Sequence, residues 1–540
     1  RRGPIALRLA AASLARNPGH AAIAATFLVA SLGLALFAVA YRSTLLRGQE
    51  DEASFAVPAS FVLSEDLSQL VPVLHGAPPD RYPGTTTSVL RLSGNVPSGA
   101  TFSFLGLPAE RVTSVGGWRA DFASKPRQTL AAAITPKQNV ALHTTSLPAG
   151  RRFSLPVRAK GDDVGVRAIF RSRLGDYEAV VLGHTNGSHV TLLHGRIPFI
   201  GATLAQLRLD ILNQDRLSAN GGLGLQPSAK GELSFGAARV NGRLVHTPFA
   251  SWVGSGGVSG SAARLGYVLT SDQNGVFRPT QPTDGVPLPV LATPHVIAAA
   301  GPHGIIPLQV EGEQIAARIV GTIRRFPSID GDAVVADRTE AATILDTRFP
   351  GLGTTDELWV TVPAAAEATA ATTLSHAPFT QLTLRSRADT LSELRADPLA
   401  RGALLTLAGT AAVALLLALV GLLLSVVGDV RDDRGELFDL EAQGASPATI
   451  RAHLRLRALL VASFGVVGGL ALGAILTSLV IALVSVTAAA ARPEPPLRLV
   501  LDVPLLLVAT VLYVLVAALL VGAATSLRGR APQRAAEAVT

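Results

Sequence analysis

Four uncharged, apolar runs decide what this chain can become. Residues 21–41, 403–427, 458–486 and 503–527 contain no Asp, Glu, Lys or Arg. A membrane-spanning helix needs about 20 consecutive apolar residues, and each run is long enough. Hydrocarbon offers backbone amides no water, so such runs must be helical. Between the first and second runs, residues 42–401 hold no spanning segment. The expected fold class is therefore a membrane protein: an α-helical four-span bundle with a large extracytoplasmic domain that is α+β and β-rich. A mean hydropathy of +0.38 fits that mixture of lipid-facing and water-facing parts.

Arginine placement sets the expected orientation. Arg1, Arg2, Arg8, Arg16, Arg431, Arg434, Arg451, Arg455, Arg457, Arg528, Arg530 and Arg534 fall in segments on one side of the membrane. The short loop on the other side carries only Arg492 and Arg498. Cytoplasmic loops are the arginine-rich ones, so both termini should be cytoplasmic and the large domain outside, in a multi-pass protein of a bacterial plasma membrane. The net charge of +8 is accounted for by this bias next to membrane lipids, and no nucleic-acid partner is expected.

The segment 428–457 is the only densely charged stretch between long apolar runs, and it has punctuation of its own. Glu436 to Ala442 places Leu437 and Leu440 near helical spacing, giving one apolar face. Gly444 suits a left-handed helix stop. Ser446 followed by Pro447 is a restart, with serine as N-cap and proline at the first helical position. The new helix should run through Ile450, Leu454 and Leu456 into the next span. A solvated connector is the plainer alternative; the Gly-Ala-Ser-Pro run favours an amphipathic element that docks a cytosolic partner.

These same residues carry a resemblance. Arg434-Gly-Glu436-Leu437-Phe-Asp-Leu440-Glu-Ala-Gln-Gly444-Ala445-Ser446-Pro447 resembles the cytoplasmic signature of FtsX-like permeases, Arg-x-Glu-Leu-x-x-Leu-x-x-x-Gly-Ala-Ser. These are membrane subunits of ABC transporters of the macrolide-exporter and lipoprotein-release type. The resemblance implies that Arg434, Glu436, Leu437, Leu440, Gly444, Ala445 and Ser446 meet a cytosolic ABC ATPase. Phe438-Asp439 departs from the pattern by being more acidic. Residues 7–18, with Arg8, Leu14, Arg16 and Pro18, resemble the start of second modules in fused actinobacterial permeases. That likeness, and a first residue that is not Met, imply a C-terminal module of a larger fused permease. Family members pair two modules, so a second permease module, fused or homodimeric, is an expected partner.

The remaining organisation follows chain order. Residues 1–20 should form a cytoplasmic amphipathic helix broken at Asn17-Pro18-Gly19, and 528–540 a cytoplasmic tail. Short alternating stretches separated by turns suggest a β-sandwich-like insert over 123–289. Residues 206–211 alternate cleanly; 164–170 alternate with Ile169 out of phase. Residues 305–310 and 317–323 read as paired strands around Glu311-Gly312-Glu313, with a helix over 294–300 before them. This order resembles the membrane-proximal ectodomain of macrolide-exporter-like permeases, implying a discontinuous domain of 42–122 and 290–401. Long helices leading into the first two spans would form a stalk.

Chemistry-bearing motifs are scarce. A phosphate-cradling P-loop ends in Gly-Lys-Ser/Thr, but the four lysines, Lys125, Lys137, Lys160 and Lys230, are followed by Pro, Gln, Gly and Gly. ATP hydrolysis is thus expected in a separate subunit. The chain has no cysteine and no Gly-x-Ser-x-Gly elbow. His184, His189 and His194 are five apart, which sets neighbours on opposite faces of a strand, so no metal site is expected. Gly222-Leu-Gly224 and Gly351-Leu-Gly353 lack the third glycine of a dinucleotide fingerprint and read as turns; Asn186-Gly187-Ser188 does too. No catalytic residue, cofactor or enzymatic activity is expected.

Gly465, Gly469 and Gly473 stand four apart in the third span. Such glycines form a groove that admits another helix closely. That helix could belong to a second permease module, or to this chain's own second or fourth span. The spans otherwise lack charge, which argues against an ion path. The expected function is to couple cytosolic ATPase cycles to movement of the outer domain, for export or extraction of a lipid, lipoprotein, peptide or drug. The alternatives are a regulator of cell-wall hydrolases and a membrane-anchored β-sandwich that binds a ligand such as a sugar.

Overall fold

The computed structural model describes residues 18–65, 82–212, 228–246, 249–270, 275–301, 303–432, 447–483 and 493–527. The chain divides into a helical unit, Arg1–Ala53 with Ala388–Thr540, and a β-rich unit, Ser54–Arg387.

Four long helices build the helical unit. The first, Pro18–Ala56, has 39 residues, about 58 Å at the α-helical rise of 1.5 Å per residue. It runs well past the expected end of the span at residue 41, because nothing stops a helix until Val57, whose following proline disfavours helical backbone. The second, Pro398–Asp432, starts on proline, and the Asp397 carboxylate caps it by accepting the Leu399 amide at 2.9 Å. The approach to the second span is therefore not one continuous helix, since Arg387–Ala396 is a separate helix. The third, Pro447–Leu483, also starts on proline. The fourth, Val503–Leu527, is capped by Asp502, whose Oδ1 accepts the Leu505 amide at 3.1 Å.

Among the described residues, three stretches are long and apolar enough to cross a membrane: Ala22–Ala56, Pro398–Gly421 and Arg455–Leu479. In the fourth helix the apolar stretch among the described residues is Val503–Leu519. That is about 25 Å of helix against the ~30 Å of a bilayer core, so three spans rather than the expected four meet the length criterion. The buried centre of the unit is Leu28, Leu32 and Leu36 from the first helix, Ala418 from the second, Ala458 and Val461 from the third, and Tyr513 and Ala517 from the fourth. Leu405, Phe464, Val467 and Leu519 point outward, each more than 65 % exposed. A helical unit with apolar residues on both its inside and its outside suits lipid rather than water.

The β-rich unit holds a nine-stranded mixed sheet and a sandwich. Six strands of the sheet close on themselves. Ile305–Val310, Glu313–Thr322, Leu288–Ala292, Ala333–Asp337, Thr101–Leu107 and Thr85–Asn95 pair in that order, and the last returns to the first through Gln309 opposite Asn95 and Val310 opposite Gly94. Alternate residues fill this small barrel, among them Phe102, Phe104, Val290, Leu308, Ile315 and Val334. The opposite faces of the same strands, with Leu105, Leu107, Leu291 and Val335, pack a second core. Strand Ala333–Asp337 is buried at every residue, which explains its unbroken apolar run. The other three strands, Glu357–Thr361, Phe61–Glu65 and Leu382–Ser386, extend the sheet from Thr85–Asn95.

Between the two sets of sheet strands the chain builds the sandwich, from Thr145–Ser146 to Gly275–Pro279. Its two antiparallel sheets enclose Phe153, Leu155, Val166, Phe170, Leu207 and Phe277. Strand Val164–Arg171 slips register against Thr203–Ile211 between Ile169 and Phe170. The extra residue is Ala205 on the partner strand, so Val164, Val166, Ala168 and Phe170 keep their alternation into the sandwich core, and Ile169 is buried outside that core. The Ile305–Val310 and Glu313–Thr322 hairpin turns on Glu311 (φ 46°) and Gly312 (φ 85°), both left-handed as a two-residue hairpin turn requires.

Candidate functional site

The glycine row of the third helix is a seam of close packing in the helical unit. A Cβ added at Gly465 would fall 2.7 Å from Leu28 Cβ, and one at Gly469 would fall 2.8 Å from Leu32 Cβ. At Gly473 it would fall 3.1 Å from Leu36 Cβ and 3.3 Å from the Gly33 carbonyl. Gly468 continues the seam, its added Cβ falling 2.6 Å from Val29 Cγ2. Only hydrogen fits at these positions, so the groove is filled by this chain's own first helix. Its neighbour on this face is the first helix rather than the second or the fourth span. The physical reason is a matching period: Leu28, Leu32 and Leu36 also stand four apart, on one face of the first helix. Beside this seam Ser31 and Tyr513 share a hydroxyl contact of 3.4 Å, and both side chains are buried.

The C-terminal third of the first helix is gripped at several points. Gln49, 7 % exposed, donates from Nε2 to the Leu394 carbonyl at 2.8 Å. Arg395 Nη2 donates to Glu50 Oε1 at 3.1 Å. These bonds tie the first helix to the segment that leads into the second. The Thr44 hydroxyl bridges Val500, accepting its amide at 3.2 Å and donating to its carbonyl at 3.4 Å. Gly48 admits Leu497, whose Cδ2 would lie 2.1 Å from an added Cβ. The same stretch therefore touches the chain leading into the second helix and the chain leading into the fourth. Sequence reasoning missed these contacts, because none forms a motif.

The expected coupling residues Arg434, Glu436, Leu437, Leu440, Gly444, Ala445 and Ser446 lie outside the described residues. The described residues on either side are helical, through Asp432 in the second helix and from Pro447 in the third. Arg457, at the start of the third helix, is 3 % exposed. The expected amphipathic helix before Pro18 and the tail after Leu527 also lie outside the described residues.

In the β-rich unit, the Gly351-Leu-Gly353 turn serves a carboxylate. Its two glycine amides donate to Asp346 Oδ1 at 3.0 and 2.8 Å, and Tyr177 donates to Oδ2 at 3.0 Å. Burial raises the Asp346 carboxyl above its ordinary range and raises the Tyr177 phenol as well. Arg91 gathers a second polar cluster. It donates to both Glu357 oxygens, at 2.6 and 3.1 Å, and to Ser328 at its carbonyl, 3.0 Å, and hydroxyl, 2.8 Å. Burial pushes the neighbouring Asp356 up to about 6. Glu340, buried beside Asp337, rises to about 7. His184 and His194 lie on different strands and His189 in the turn between them. Among the described residues no group of three His, Cys, Asp or Glu side chains is placed to hold a metal. Gly187 lies in a left-handed turn and donates to Asp163 at 2.8 Å.

The helical unit is also where the chain resembles known proteins. Residues 408–533 match the family model of the FtsX-like permease C-terminal domain. No curated protein matches the chain. The match takes in most of the second helix, the segment 433–446, and the third and fourth helices. This part of the chain is similar to the C-terminal domain of FtsX-like permeases, a family that generally works with a cytosolic ABC ATPase.

Proposed function

We propose that this chain, with its FtsX-like permease domain, is a membrane subunit of an ABC transporter that converts cytosolic ATPase cycles into movement of an extracytoplasmic domain. The observation that carries this reading is the family match over residues 408–533, which contains the signature Arg434 to Ser446. In this reading all four long helices span the membrane, both termini are cytoplasmic, and the β-rich unit faces outward. The ATPase docks on Glu436, Leu437, Leu440 and Gly444 to Ser446. Nucleotide closure shifts the helices that flank this segment. The first helix is packed along the third and bonded to the approach to the second, so it follows.

The geometry favours mechanical transmission over a wide pore. The first and third helices meet through glycines with no room for solute. The apolar runs 21–41, 403–427, 458–486 and 503–527 carry no acidic or basic residue that would line a hydrated path. The substrate class is an extracytoplasmic lipid, lipoprotein, peptide or drug, moved without covalent chemistry in this chain. A second permease module completes the transporter. It must dock on a surface other than the Gly465–Gly469–Gly473 face.

The test is affinity isolation of the tagged chain from its native membranes. A partner with Gly-x-x-x-x-Gly-Lys-Ser/Thr in stoichiometric amount is the expected outcome. Isolation of the intact chain with no nucleotide-binding partner would contradict the reading.

A further inference from the structure

The sandwich carries an arrangement that the permease reading leaves unused. Strands Arg152–Gly161 and Val190–Arg196 pair antiparallel with Arg152 directly opposite Arg196. Both point away from the core, whereas Phe153 and Leu155 between the outward positions are fully buried. Like charges directly opposite on neighbouring strands repel. Two other outward arginines of the sandwich are neutralised: Arg264 pairs with Glu232 at 2.7 Å and Arg167 with Asp210 at 2.6 Å. Among the described residues, Arg151, Arg152 and Arg196 form no ion pair.

A built rim surrounds this uncompensated charge. The turn Asn241-Gly242 has left-handed backbone at both residues, φ 49° and 82°. It is pinned to the neighbouring strand, with Asn241 Oδ1 accepting the Arg152 amide at 3.0 Å and the Asn241 amide donating to the Arg152 carbonyl at 2.9 Å. Arg239 Nη1 donates to the Gly242 carbonyl at 2.9 Å. Gly150 allows the close approach, since a Cβ there would fall 2.8 Å from the Asn241 side chain. The result is a cleft of about 690 Å³ lined by Arg151, Arg152, Arg196, His194, Asn241 and Gly242. Along the same outward face, Leu192 and Val190 are 59 % and 58 % exposed.

We propose that this cleft binds a phosphate group carried on a larger molecule. Guanidinium groups present their N–H donors in planar forks that match oxyanions, and three of them offer more donors than the two oxygens of one carboxylate can accept. A phosphate ester has enough acceptor oxygens, and its charge relieves the Arg152–Arg196 repulsion. The cleft is far larger than a bare phosphate and of the size that holds small-molecule ligands. Leu192 and Val190 offer apolar surface beside it for the rest of an amphiphile.

The test uses the full chain in phosphatidylcholine nanodiscs, titrated calorimetrically with glycerol 3-phosphate, dihexanoyl phosphatidic acid and dihexanoyl phosphatidylcholine. Saturable binding of the two phosphate monoesters is expected, weakened at least tenfold in Arg196→Gln and in Arg152→Gln/Arg196→Gln. Arg318→Gln, at an exposed position of the barrel strand Glu313–Thr322 outside the sandwich, should bind as the unaltered chain does. Tighter binding of phosphatidic acid identifies a lipid headgroup as the source; equal binding identifies a soluble phosphate ester. Without ligand at low salt, the double variant should melt at or above the temperature of the unaltered chain, because a repulsion has been removed. Failure of both monoesters to bind, equal binding by the Arg196→Gln variant, or a clear loss of thermal stability in the double variant would each overturn the proposal.

Discussion

Gly469 of the third long helix lies against Leu32 of the first, so closely that a Cβ at 469 would fall 2.8 Å from the Leu32 Cβ. Helix association in lipid relies on packing rather than on expulsion of water, and small residues permit it. Gly469→Leu should therefore cost at least about 1–3 kcal/mol by overpacking, read as a lower unfolding midpoint in detergent. The chain has no cysteine, so Leu36→Cys/Gly473→Cys gives a clean second measurement. Oxidation should cross-link the pair within one chain, as a faster-migrating monomer. Cross-linked dimers in its place would show that the glycine face meets a second module.

The C-terminal third of the first helix gives two neighbouring residues with different expected weights. Gln49 is buried, so Gln49→Ala leaves the Leu394 carbonyl without its donor and should cost about 1–3 kcal/mol. Glu50 is 44 % exposed and its ion pair with Arg395 is solvated; Glu50→Gln should change stability by less than about 1 kcal/mol. Denaturant titration of both variants checks the ranking.

Glu340 makes stability depend on pH. Burial and the nearby Asp337 raise its folded-state value to about 7, whereas an unfolded glutamate titrates near ~4.3. The folded state thus holds the proton more tightly. The contribution is fully present below the unfolded value, is lost as pH rises between the two, and is flat above the folded value. Glu340 Oε2 has no hydrogen-bond partner among the described residues, so Glu340→Gln should be tolerated. The melting temperature of that variant should gain on the unaltered chain steadily from pH 5 to pH 7.5. Asp356 shifts in the same direction, up to about 6, and leaves a residual slope in both proteins. Parallel curves would refute the assignment to Glu340.

Much of this architecture was legible in the sequence, wherever a local rule decides. Uncharged runs located the long helices, Pro447 marked a helix start, and Glu311-Gly312 located a hairpin turn, whereas the start at Pro398 was not read from the sequence. What was not legible depends on distant partners. The glycines announced close packing, but a period of four does not say against what. Only the matching period of Leu28, Leu32 and Leu36 hinted at the answer. The barrel closure at Gln309 and Asn95 joins residues 214 apart and leaves no trace in either strand. The Arg152–Arg196 opposition arises from register, which neither strand encodes alone. The grip of Gln49 on Leu394 uses a backbone carbonyl, which sequence cannot reveal.

The central claim is that a cytosolic ATPase drives this chain through the segment between its second and third long helices. Its most direct test is Leu437→Asp/Leu440→Asp, read as ATPase recovered with the tagged chain from membranes. Two buried charges would remove the apolar contact without touching a helix that crosses the lipid. The account predicts that ATPase recovery falls at least tenfold while the amount of chain in the membrane stays unchanged. Undiminished recovery of the ATPase with the double variant would contradict it.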